Sequence, residues 1–453
     1  MPKDMFTYDE AMTDLVVARC RERLAMDPVS LDFGGLVESL DEALDGLMKP
    51  QGNPAADVLR LFVDHLATAV VSCDSPRFLS FIPAAPTKAA LLFDMFVSCS
   101  SLNGTSWLEA AGAVAAENQA LGVLADVAGF PPGAGGCFVA GGSAGNLSAL
   151  VVARDTAAHR RRGTAPERPL VAVSDDAHSS VGKALHVMGV DALVVPTEEH
   201  RLTGAALERA LAQSQRADDV IAVVATAGTT NAGIVDDLDT VADVAHERAL
   251  WFHVDGAYGG AALFAPSARG RFKGFERADS FIIDPHKWLF APFDCAGLVY
   301  REPHLAQAVH TQDASYLDVI HGDDPGAWNP SDYAYHLTRR ARGLPLWFSL
   351  AVNGLDAYSE AIEAGLAMAR TAAAVIDDTT HTELVRPPEL SIVLFRRLGW
   401  SHADYDAWSA RLLEAQIGFV TPTAWEGETV ARFAFLHPAT TEGMVREILA
   451  TMA

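Results

Sequence analysis

A lysine at the end of a buried strand is an awkward charge unless its amine is used. Residues 280–288 read SFIIDPHKW: an apolar run stops at Asp284-Pro285 and delivers His286 and Lys287 where the chain must turn away. Burial favours the neutral form of a lysine, and a neutral amine is what attacks an aldehyde cofactor to form a Schiff base. A lysine snorkelling out of a strand end leaves the same pattern, so this residue alone decides nothing. Residues 251–260, WFHVDGAYGG, place Asp255 at the end of a second apolar run, followed by small residues that permit close approach. A carboxylate there can keep the nitrogen of a pyridine-type cofactor protonated, so that the ring draws electrons. A helix N-cap is the competing reading of a lone aspartate.

Three further constellations sit at similar places. Residues 140–146, AGGSAGN, join an apolar run to a helical stretch, and the glycines with Ser143 suit a phosphate at the positive helix end. Turn chemistry alone explains a glycine-rich turn equally well, and the Gly-Lys-Ser/Thr ending of a Walker loop is missing. His178, in DDAHSSVGKA, follows the run 170–173 and could cover an aromatic ring or act as acid and base. With 15 histidines in the chain, a hydrogen-bonded loop histidine is the plain alternative. Residues 226–230, TAGTT, bring hydroxyls to the end of the run 221–224.

These positions require elements that gather them. Short apolar runs at 137–140, 170–173, 192–195, 221–224, 251–254 and 281–283 alternate with helical stretches. Runs apolar on both faces predict an α/β fold with a mostly parallel central sheet covered by helices, whose site lies at the strand ends. Leu15, Val16, Cys20 and Leu24, then Leu36, Leu40 and Leu44, recur at helical spacing and predict an N-terminal helical segment. Residues 106–109, SWLE, match a capping box and open a long Ala-rich helix running to the loop 129–136. Past Leu344 a helix leads to strand-like 390–395 and 430–435 flanking a helix over 403–416, a small C-terminal α+β domain. The division is therefore 1–75, 76–343 and 344–453.

Composition excludes other classes. A net charge of −24 leaves no basic surplus for nucleic acid or anionic lipid, and favours a small-molecule substrate. The 5 cysteines are scattered with no zinc-like spacing, so no metal is expected. No signal-like or spanning apolar stretch occurs, and the expectation is a cytoplasmic protein with no membrane contact.

In order, GGSAGN, AHSSVGKA, TAGTTNAG, HVDGAY and DPHKWLFAPFDC resemble the group II amino-acid decarboxylases, which use pyridoxal 5′-phosphate (PLP) and include aromatic-L-amino-acid and glutamate decarboxylases. The resemblance runs from about Ser75 to the C-terminus, with SPRFLSFIPAAP and GTSWLEAAGAVAAEN similar to the family's substrate-side segments. It implies the fold-type-I PLP architecture and a homodimer with active sites at the interface, clasped by residues 1–75. It implies Lys287 as the Schiff-base lysine, Asp255 as the pyridine-nitrogen partner and His178 as the ring against the cofactor. Ser143, Ala144, Gly145 and His286 would hold the phosphate, and Thr229 and Ala257 would line the cofactor pocket. Phe81, Ile82, Ala84 and Thr105 fall in the substrate-side segments and point to an aromatic or large apolar amino acid, with no evident cation for an acidic side chain. Departures are Gly145 and Asp284, where aromatic decarboxylases tend to have Ser and Asn; an Asp beside a phosphate would repel it unless turned away. The family's loop tyrosine, which protonates Cα, is matched by Tyr333, with Tyr335, Tyr316 and His178 as alternatives. Residues Gly322, Asp323, Asp324, Pro325 and Gly326 suit a closing lid there. The expected reaction is decarboxylation to an amine; an oxidative aldehyde synthase, a transaminase and a non-catalytic scaffold are the competing outcomes.

Overall fold

The computed structural model describes residues 5–32, 37–82, 85–160, 163–315, 317, 319–320 and 327–453. All six apolar runs are strands: β1 (Gly135–Val139), β2 (Leu170–Ser174), β3 (Asp191–Val195), β4 (Val220–Thr226), β5 (Trp251–Asp255) and β6 (Ser280–Ile283). A seventh, β7 (Ala296–Tyr300), completes a sheet of order β1-β7-β6-β5-β4-β2-β3. Strands β3, β2, β4, β5 and β6 pair in parallel. β7 is antiparallel to both of its neighbours, so β1 runs with the parallel set. The C-terminal ends at Val139, Ser174, Thr226, Asp255 and Ile283 therefore share one edge.

Why the runs are apolar throughout is visible along β2. Leu170 and Ala172 enter one core cluster, whereas Val171 and Val173 enter the other. Successive strand side chains face opposite ways, and helices cover both faces, so neither can be polar. β7 is broken as an apolar run by Gly297, where the packing is tight. A Cβ on Gly297 would come within 2.7 Å of Leu124 Cδ1, on the helix Trp107–Val127. That helix begins as the sequence predicts: Ser106 Oγ accepts from the Glu109 N–H at 3.3 Å and donates to Glu109 Oε2 at 2.8 Å.

Beyond the helix Leu344–Asp377 lies a second sheet built from β8 (Thr382–Leu384), β9 (Ile392–Arg397), β10 (Pro422–Trp425) and β11 (Glu428–Ala434). It is antiparallel, in the order β10-β11-β9-β8. Helices His402–Glu414 and Glu442–Ala450 close its core around Phe395, Trp408, Phe433 and Ile448. At the other end of the chain, helices Glu10–Ala25 and Ala55–Leu61 bury no side chain, and Leu15 and Val16 stay 41% and 44% exposed. The helix Ala55–Leu61 runs on into a π-helical turn, Phe62–Leu66, which likewise buries no side chain.

Candidate active site

β6 ends at Ile283, and Asp284, in extended backbone, is followed by a single helical turn, Pro285–Trp288, with the proline in its first turn. Proline suits that position because its missing N–H would have no helical partner there. The turn is held from behind by Trp288, which is fully buried and stacked 5.5 Å from Tyr258, whose hydroxyl bonds Ser391 Oγ at 2.6 Å. Lys287 is thereby aimed back across the strand end, with Nζ 3.1 Å from Asp284 Oδ2 and 24% of its side chain exposed. His286 accepts the Cys295 N–H on Nδ1 at 3.0 Å. Burial lowers the pKa of His286, so the ring is neutral with its proton on Nε2, 3.7 Å from Asp284 Oδ2.

Asp284 is the surprise of this corner. It is 2% exposed, its Oδ2 also accepts the Gly142 N–H at 3.1 Å, and its Oδ1 is buried without a hydrogen-bond partner. The carboxylate is turned into the site, paired with Lys287. Space opposite it is tight: a Cβ on Gly142 would stand 3.1 Å from both Asp284 Oδ2 and Ala257 Cβ.

Asp255 ends β5, next to β6, and is 5% exposed. Its Oδ1 accepts the Ala257 N–H at 3.1 Å and its Oδ2 accepts from Asn146 Nδ2 at 2.9 Å. Two donors hold the carboxylate without neutralising it. Asn146 lies one turn into the helix Gly142–Asp155, the helix that the glycine-rich turn opens. In that turn the N–H groups of Ala144 and Gly145 both go to the Gly141 carbonyl, at 3.0 and 3.1 Å, while Ser143 is exposed. The serine-to-glycine departure at Gly145 has a packing cause: a Cβ there would run into Ile282 of β6.

His178 caps the helix Ser179–Met188, with Nδ1 accepting the Ser180 N–H at 3.2 Å. It lines a cavity of about 180 Å³ together with Asp176, His200, Thr229, Thr230 and Trp425. The Thr229 hydroxyl is used in its own turn, accepting the Ile234 N–H at 3.1 Å. Phe81 is 61% exposed and sits with Phe78 and Phe419 in an aromatic group whose centroids lie 4.9 to 6.3 Å apart. Ile82 packs against the main core. Ala84 lies outside the described residues. Thr105 is not brought to Phe81: it is 5% exposed and its hydroxyl is committed to Asn103 Oδ1 and the Leu337 carbonyl, at 2.6 and 3.1 Å.

Tyr333 does not stand on an open loop. It is 4% exposed, stacked 4.2 Å from Trp328, and burial pushes its phenol well up. Tyr335 is 55% exposed and lines a cavity of about 410 Å³ with Ser143, Ala144 and Ser180. Tyr316 and residues 321–326 lie outside the described residues.

Sequence reasoning missed Arg432. It is 5% exposed on β11 and bonds the carbonyls of Phe81, Thr230 and Asn231, at 2.8, 2.5 and 3.3 Å. Burial pulls its pKa down to about 10, and the ion pairs of the described residues supply it no carboxylate. The expectation of no cation beside Phe81 is corrected here. A charge within the apolar stretch VARFAF was the available signal.

A mostly parallel sheet thus brings a lysine and a carboxylate to the ends of adjacent strands, β6 and β5, the arrangement of fold-type-I PLP enzymes. The chain belongs to the pyridoxal-dependent decarboxylase family, whose conserved domain matches residues 39–398. It is 30% identical over 450 residues to an aromatic-L-amino-acid decarboxylase of Bacillus atrophaeus, covering 96% of this chain and 92% of the relative. It is 31% identical over 430 residues to an L-2,4-diaminobutyrate decarboxylase of Rhizobium meliloti, covering 92% and 85%. Among solved structures, Oryza sativa TDC with PLP and tryptamine superposes with a TM-score of 0.88 at 26% identity, covering 98% and 99% of the two chains. The chain is therefore a PLP-dependent amino-acid decarboxylase, a carboxy-lyase. Among the described residues, no helix is long and apolar enough to cross a membrane.

The residues present fit that cofactor. Lys287 offers a partly exposed amine, Asp255 a buried carboxylate, and Ser143 and His286 a pair of donors at a helix start. Asp284 is opposed to a phosphate, and its charge is offset by Lys287 at 3.1 Å.

Proposed function

We propose that the chain removes CO2 from an aromatic or large apolar L-amino acid and releases the amine. The observation that carries this choice is the exposed Phe81 in its aromatic group, directly bonded through its carbonyl to Arg432. When bound, PLP supplies an electron sink for the pair left behind by CO2. The chain's residues do the rest. Lys287 anchors the cofactor, Asp255 holds the proton on its ring nitrogen, and His178, Thr229 and Ala257 bound the ring. Ser143, Ala144, Gly145 and His286 hold the phosphate, through Ser143 Oγ and the His286 Nε2–H above all, since the Ala144 and Gly145 N–H groups already have a partner. Phe81 and Ile82 belong to the substrate side, where the Phe81 ring is the surface on offer; the Thr105 hydroxyl, spent on Asn103 and the Leu337 carbonyl, takes no part there. Arg432, with a buried charge and only carbonyl partners, orients the substrate's α-carboxylate.

The test is an amine screen across the twenty amino acids and 2,4-diaminobutyrate, with CO2, aldehyde and peroxide measured together. Amine from tryptophan, tyrosine or phenylalanine is expected; preferred turnover of 2,4-diaminobutyrate or an acidic amino acid overturns the substrate class, and aldehyde with peroxide overturns the outcome. Arg432→Gln should raise KM for the amino acid on the order of tenfold to a hundredfold, the worth of one hydrogen-bonded charge, and leave PLP affinity alone. A KM within twofold of wild type would remove Arg432 from the substrate site.

Tyr333 is proposed as the proton donor to Cα, which requires its stack on Trp328 to open; Tyr335, Tyr316 and His178 are the alternatives. Tyr333→Phe should lower the yield of amine while CO2 release continues, since phenylalanine has no proton to give. Amine formed at the normal rate and ratio would pass the role to Tyr335 or His178, which both open onto cavities. The exposed apolar face of the N-terminal helices supports a homodimer clasped by residues 1–75, around domains 76–343 and 344–453. A cytoplasmic location is proposed with it.

A further inference from the structure

Beneath Asp255 runs a chain of hydrogen bonds whose direction can be worked out group by group. A carboxylate only accepts, so the Asn146 atom facing Asp255 Oδ2 at 2.9 Å is the amide nitrogen. Asn146 Oδ1 is then the acceptor for His253 Nε2 at 2.9 Å, which must carry the proton of that ring. Burial pulls His253 down to about 4, so the ring holds no second proton, and Nδ1 accepts from Ser280 Oγ at 2.8 Å. Ser280 Oγ in turn accepts from the indole Trp251 Nε1–H at 2.8 Å, which can only donate. Every group between a pure donor and a pure acceptor has one permitted orientation.

A branch leaves the same amide. Asn146 Nδ2 also donates to Ser180 Oγ at 3.0 Å, so the Ser180 hydroxyl is free to donate to His178 Nδ1 at 2.8 Å, beside the Ser180 backbone N–H that already points there at 3.2 Å. His178 Nδ1 is therefore an acceptor twice over. Asn146, Ser180, His253 and Ser280 are all buried. Inside the protein an unmade hydrogen bond is costly, so the network is held as one unit.

We infer that Asn146 is a positioning residue: it passes the orientation imposed by the Asp255 carboxylate to both imidazoles, leaving His178 with its proton on Nε2 as a fixed donor at the site. This rests on the reading of Asp255 and His178 as cofactor residues only for its consequence; the tautomers themselves belong to the free chain. Asn146 thus couples the group at the ring nitrogen to the group at the ring face.

The experiment uses the full-length protein labelled with 15N-histidine, stripped of PLP, with the His178 signals identified by their loss in His178→Gln. In wild type the Nε2–H tautomer of His178 is expected; an Nδ1–H tautomer overturns the inference without any variant that must fold. Asn146→Leu, which keeps the branched outline in a larger side chain and removes both donors and the acceptor, should shift the His178 signals and raise the PLP dissociation constant about tenfold or more, as loss of a bond to a charged group does. Ser180→Ala cuts only the branch and should shift the His178 signals with a smaller effect on PLP. Unchanged His178 signals in both variants overturn the relay, whichever way substrate screening falls.

Discussion

Lys287→Ala is expected to abolish turnover, with a loss on the order of 10⁴-fold or more, because among the described residues no other amine stands at the end of β6. The visible absorbance of lysine-bound PLP should vanish with it. The variant should still fold, since Trp288, Tyr258 and Ser391 hold the turn from behind without the lysine. It should nevertheless unfold more easily. Asp284 is 2% exposed and would keep only the Gly142 N–H, a loss of about 1–3 kcal/mol after allowing for solvent at the 24% exposed lysine. Borohydride reduction followed by peptide mapping checks the anchor. PLP reduced onto another lysine, in a variant with activity near wild type, would refute the assignment.

Asp255→Asn should keep the fold and bind PLP, yet lower turnover on the order of 10²- to 10⁴-fold, because a neutral amide cannot hold the proton on the ring nitrogen. The fold survives because the amide oxygen can still accept from Asn146 Nδ2 or the Ala257 N–H, the two bonds of the native carboxylate. The effect should lie in kcat, with PLP affinity within about tenfold of wild type, the worth of one hydrogen bond. Near-normal kcat in Asp255→Asn would show that another group carries the role.

Much of this was legible along the chain. Six apolar runs became six strands in their expected places: β2, β4, β5 and β6 because a strand covered on both faces can contain nothing else, β3 at the sheet edge with Val194 55% exposed. Lys287, Asp255, His178 and Ser143 all come to one sheet edge for the same reason: each follows a strand of the set that runs in one direction. β7 went unread although AGLVY is apolar: Gly297, pressed against Leu124 of the helix packed on it, breaks the run into a short Leu298–Tyr300 piece that follows closely on β6.

The sequence by itself determined which residues could do the chemistry and that they would share an edge, because strand periodicity and turn residues are properties of neighbours in the chain. Tertiary structure alone decided which of them touch. Asp284 meets the Gly142 N–H across 142 residues, Asn146 meets Asp255 across 109, and Arg432 meets the Phe81 carbonyl across 351. It also decided that Asp284 faces Lys287, that the Thr229 hydroxyl closes its own turn, and that Tyr333 lies under Trp328. Such pairings depend on strand order and on the space left by packed side chains, and neither quantity is written in any local stretch of residues.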